Sequence, residues 1–79
     1  MPEIDEFTHY CVMANFWKIC CWSNMRISRI GRAVFKACQV AVPNIREEQI
    51  PQTLVKEIEE NRYDKQKVEK IIESFVVKL

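Results

Sequence analysis

Residues 7–22, FTHYCVMANFWKICCW, hold five of the eight aromatic residues and three of the four cysteines of a 79-residue chain, and only one charge, Lys18. Wound as a helix at about 100° per residue, this stretch places Thr8, Asn15 and Lys18 on one narrow strip. Phe7, Tyr10, Cys11, Val12, Met13, Phe16, Trp17, Ile19, Cys20 and Cys21 then cover most of the remaining circumference. A helix of that kind requires burial on nearly every side, so the rest of the chain has to supply the cover.

The supply is limited. A chain of this length encloses only roughly 60 to 65% of the surface that its unfolded form exposes. The other segments carry one-sided apolar stripes. MRISRIGRAVFKACQVAV, residues 25–42, puts Ile27, Ile30, Ala33, Val34, Ala37, Cys38 and Ala41 on one side, with Arg26, Arg29, Arg32 and Lys36 on an adjoining arc of about 120°. Ser23 and Asn24, both good helix N-caps, interrupt the apolar run before it. They predict a first helix over residues 3–22 and a second starting near Met25, the alternative being one kinked helix over residues 4–42. Gly31, at a price of about 1 kcal/mol relative to alanine, predicts a close helix crossing or a local bend.

Pro43 ends the second segment, and Asn44 with Glu47 has the spacing of a capping box for a short turn over Ile45–Gln49. Pro51 biases Ile50 toward extended backbone, so the next helix is expected over Gln52–Asn61, burying Leu54, Val55 and Ile58. Asp64 then caps a last helix with Val68, Ile71, Ile72, Phe75, Val76 and Leu79 at steps of three and four. So short a connection predicts that these two helices pack as an antiparallel pair. With one glycine and three prolines in the whole chain, turn-rich β folds are disfavoured. The reading is an all-α, compact bundle of about four helices in one domain, residues 1–79: a very hydrophobic N-terminal helix, an amphipathic helix with a basic flank, and a C-terminal pair.

The formal net charge of +1 conceals an uneven layout. Glu3, Asp5 and Glu6 precede six basic groups without an acid in residues 7–46, and residues 47–79 hold eight acids against six bases. Four cysteines with no secretory leader pattern in MPEIDEF predict a cytoplasmic chain with reduced thiols. Cys20 and Cys21 are adjacent, and Cys11 and Cys21 would stand about 15 Å apart along one helix, too far for a disulfide.

No arrangement in the chain predicts catalysis. His9 and Cys11 are about 200° apart on a helix, so they do not face one metal ion, and the short ligand spacings of zinc sites are absent. A cysteine nucleophile would need His9 within hydrogen-bond reach and an oxyanion-stabilising group, and nothing in the pattern arranges either. Phosphate-cradling glycine loops and paired carboxylates on an apolar face are also missing. No metal, no cofactor and no catalytic residue is therefore expected, and the chain reads as a non-enzyme.

What the pattern does predict is binding. The excess of apolar surface on the first helix points to a protein partner and to a homodimer or higher oligomer, with Phe16, Trp17 and Trp22 as aromatic anchors. Small chains without linkers or motifs have the proportions of regulators and inhibitors from viruses, mobile elements and stress operons, an association of size alone. On that reading the basic face of Arg26, Arg29, Arg32 and Lys36 steers the encounter with a larger target. The alternative is that the same face holds nucleic-acid phosphates, although a sequence pI near 7.6 is low for such domains. Residues 7–22 are too short to span a bilayer and hold Lys18, which makes a membrane-surface role the least expected of the three.

Overall fold

The computed structural model describes residues 4–21 and 25–79. Among them the backbone forms four α-helices and one short 3-10 turn, with no strand: α1 Glu6–Ile19, α2 Ile27–Ala41, the turn Glu47–Gln49, α3 Gln52–Glu60 and α4 Lys65–Lys78.

Each boundary has a local cause. Asp5 caps α1 by accepting a hydrogen bond from the Thr8 backbone N–H at 2.6 Å. This shortens the helix at its start, because the acid expected in the first turn serves as its cap. That bond also holds the Asp5 carboxyl below its ordinary pKa, since it favours the ionised form. At the other end α1 stops at Ile19, earlier than the polar residues after it signal. Cys20 turns to extended backbone and enters the core, while its N–H closes the helix on the Phe16 carbonyl at 2.9 Å. From α2, Arg29 donates to the Ile19 carbonyl at 3.4 Å, a cation placed at the negative end of the helix dipole. The proposed caps Ser23 and Asn24 lie outside the described residues. Helix α2 begins at Ile27, and α1 and α2 are two helices rather than one kinked one.

The capping box after Pro43 is displaced by two residues. Gln49 rather than Glu47 reaches back, accepting from the Arg46 N–H at 2.8 Å. Ile45 is thereby left free to bury beneath the turn. Helix α3 starts after Pro51, as its missing donor dictates. Asp64 caps α4 by accepting from the Lys67 N–H at 3.2 Å.

Helix α2 is the centre of the fold. Its fully buried Ile30, Ala33, Val34, Ala37 and Cys38 pack against α1 most extensively, then against α3, and also touch α4. Among these, Ala33 and Ala37 are small side chains with no exposure, of the kind that permits close helix approach. The C-terminal helices lie against each other, but that contact is one of the lesser ones. The expected C-terminal pair is present, and α3 turns Leu54, Val55 and Ile58, and α4 turns Val68, Ile72 and Val76, toward one shared core.

A methyl group added at Gly31 would meet only the Val55 Cγ2, at 3.8 Å, and the glycine has no positive φ. No crossing demands a glycine there. Gly31→Ala is therefore expected to raise stability by about 0.5 to 1 kcal/mol, read from the urea unfolding midpoint. An unchanged or lowered midpoint would show that the α2/α3 contact does not accept the methyl.

No disulfide joins the four cysteines; Cys20 and Cys38 are buried, Cys11 is half-buried and Cys21 is exposed. Burial pushes the Cys38 thiol up to about 11 from 9.0, because a thiolate in the core has lost its hydration. Cys20 is raised for the same reason, and Arg29 partly offsets the shift. A thiol whose pKa rises on folding contributes stability that is full below its unfolded value and is lost as pH climbs toward the folded one. The urea midpoint should thus fall between pH 9.0 and about 11, and Cys38→Ala should flatten most of that fall. A slope identical in the variant would place its origin elsewhere.

Candidate protein interface

Helix α1 carries two apolar series at helical spacing. Val12, Met13, Phe16 and Cys20 face inward and are buried. On another side Phe7, Tyr10, Ala14 and Trp17 follow one another in steps of three and four, within an arc of about 80°, and Cys21 lies beyond the end of the helix. Along this outer strip Phe7 is 76% and Tyr10 71% exposed, and Ala14 is also exposed. From Phe7 to Trp17 the strip is about 15 Å long on a molecule of 30 × 25 × 20 Å.

Trp17 is the shoulder between the two series. It is half-buried, its ring stands edge-on to Phe16 with centroids 4.7 Å apart, and its Nε1 donates to the Glu69 carboxylate at 2.8 Å. The Lys65 ammonium lies 5.6 Å from the Trp17 ring centroid. His9 completes the tie to α4, with its Nδ1 3.2 Å from the Glu73 carboxylate. Between the two helices an open groove of about 450 Å³ is lined by Glu6, His9, Tyr10, Met13, Ala14 and Trp17 on one side and Lys65 and Glu69 on the other. The outer strip therefore borders a concave surface of mixed character, apolar on α1 with polar and charged groups around it.

Of the anchors expected from the sequence, Phe16 is fully enclosed by its own chain. It fills the α1/α2 contact and presents no surface to a partner, and that expectation is corrected. Trp17 reaches the surface at one edge only. Trp22 lies outside the described residues. Phe7 and Tyr10, which the sequence reading did not single out, are the exposed rings of α1. Their signal was the regular three-four series through residues 7, 10, 14 and 17, which stays hidden when a helix is apolar all round.

The basic face is on the surface, with Arg26, Arg29 and Arg32 exposed and Lys36 partly so. Two of the four are engaged within the chain: Arg29 with the end of α1, and Arg32 with Glu47 at 3.5 Å. Lys36 lies 5.7 Å from the centroid of the Phe35 ring. Exposed pairs of this kind contribute under about 1 kcal/mol, and Glu47 brings negative charge to the Arg32 edge of the arc. No helix among the described residues is long and apolar enough to cross a membrane. Compared with known proteins, the chain matches no family model, no curated protein and no solved structure.

Proposed function

We propose that the protein is a small, non-enzymatic helical binding module, a regulator or inhibitor that self-associates through the outer face of α1 and acts by occupying the surface of a larger protein. The observation that carries this reading is the exposed strip of Phe7, Tyr10 and Ala14 in helical register. A continuous apolar face of that kind on so small a chain is the mark of a contact surface.

A two-fold pairing needs a surface that complements itself. The α1 face does so when two copies run antiparallel. Ala14 then lies at the middle, where a small side chain permits close approach, and the rings of each copy fall on either side of it. The N-terminal half of α1, which carries Asp5 and Glu6, then runs beside the C-terminal half of the other copy, which carries Lys18, so both charge and helix dipole are complementary. The reading with nucleic acid on α2 has less support, because Arg29 and Arg32 are engaged within the chain, with the Ile19 carbonyl and with Glu47.

Sedimentation of the native chain from low to high micromolar concentration tests the proposal. A concentration-dependent shift from monomer to dimer is expected; a strict monomer throughout would remove it.

A further inference from the structure

The C-terminal segment is acidic in sequence, yet one of its surfaces is cationic. On α4, Lys67, Lys70, Ser74 and Lys78 fall within an arc of about 80°, on one flank of the apolar stripe, and Glu69 and Glu73 fall on the other flank. The two acids turn toward α1, where they meet Trp17 and His9. The lysines turn toward α3 and rim an open groove of about 430 Å³. Leu54, Ile71 and Phe75 line the same groove, Ile71 and Phe75 being only half-buried. Among the described residues none of the three lysines forms an ion pair. One acid, Glu57, lies on the far rim.

We infer that this α3/α4 groove is a docking site for an acidic amphipathic helix of a partner protein. The lysines span about 16 Å along α4, three helical turns, which fits a helix laid along the groove. Such a helix would set an apolar ridge on Leu54, Ile71 and Phe75 and carboxylates against Lys67, Lys70 and Lys78. Charge differs across the groove, with lysines on the α4 rim and Glu57 on the α3 rim. The occupant is therefore expected to carry its acids on one flank only, which fixes its orientation.

The apolar lining decides among other ligands. A nucleic-acid backbone would use the lysines and leave Leu54, Ile71 and Phe75 unused, and a flat bilayer does not reach residues set between two helices. This surface is separate from the outer face of α1, so it extends the proposed function by supplying a place for the larger target while self-association occupies the other side.

The probe is a pair of synthetic amphipathic helical peptides with the same leucine spacing, one flanked by glutamate and the other by lysine, titrated into the full-length protein and followed by amide chemical shifts. The glutamate peptide is expected to perturb Leu54, Ile71 and Phe75 and to bind more weakly as salt is added. Lys67→Glu combined with Lys70→Glu should weaken it by about tenfold or more, with helicity and sedimentation unchanged. The milder Lys67→Gln with Lys70→Gln should give a smaller loss in the same direction. Equal binding of both peptides, or none, would overturn the inference. So would shifts confined to Phe7, Tyr10 and Ala14, or phosphatidylglycerol vesicles engaging the lysines when the peptide does not. Sedimentation of the same samples reports on α1 independently, so failure of the groove and failure of self-association are read separately.

Discussion

Replacing Phe16 by alanine is expected to lower stability by about 3 to 5 kcal/mol, the range for removing a fully buried aromatic ring. Phe16 has no exposed surface and is the largest of the fully buried side chains. It fills the contact between α1 and α2 and braces Trp17 edge-on. Native domains are stable by only about 5 to 15 kcal/mol, and small ones sit near the bottom of that range. The variant should therefore be largely unfolded or molten at room temperature, with lost near-ultraviolet dichroism and a urea transition shifted toward zero denaturant. Phe7→Ala, nine residues earlier on the same helix, removes a ring that is 76% exposed and should change the stability of the monomer by no more than about 0.5 kcal/mol. Two phenylalanines of one helix would then differ several-fold in their effect. If the two variants unfolded alike, the inward and outward faces of α1 would be wrongly assigned.

That contrast also marks how far the sequence could be read. The core residues of α3 and α4, the stop at Pro51 and the cap at Asp64 were legible because each helix has one apolar stripe and an unambiguous boundary residue. The basic arc of α2 was legible for the same reason. Helix α1 resisted because its apolar residues cover most of its circumference. Periodicity then says that the helix is buried somewhere without saying which side, so nothing in the pattern ranked Phe7 and Tyr10 above Phe16 as exposed rings. The centre of the bundle was also missed, since α2 earns that place through Ala33 and Ala37, and small residues carry little weight in a hydrophobic pattern. The cationic groove escaped for a different reason. Net charge over residues 47–79 averages Glu69 and Glu73 with Lys67, Lys70 and Lys78, whereas the helix separates them onto opposite flanks and ties the acids to α1.

Tyr10→Glu is expected to abolish self-association while leaving each subunit folded. Tyr10 is 71% exposed in the single chain and lies in the middle of the outer strip, one turn from Ala14. In an antiparallel two-fold pair the substitution enters twice and sets two unpaired carboxylates in a surface that excludes water. Each such burial costs a few kcal/mol, so dissociation should strengthen by at least about a hundredfold, the equivalent of about 2.7 kcal/mol. Sedimentation should show a monomer at concentrations where the native chain is dimeric, with the helical signal retained. The direction of pairing is checked by charge exchange. In the antiparallel arrangement Glu6→Lys brings two cationic ends together and weakens the dimer, and adding Lys18→Glu restores it by reversing both ends at once. In a parallel pair like meets like before and after each change, so neither step would have that effect. Loss followed by rescue would establish that the outer face of α1 is the contact and that the copies meet head to tail. Tyr10→Glu leaving the dimer intact would show that the exposed rings of α1 serve something other than a second copy.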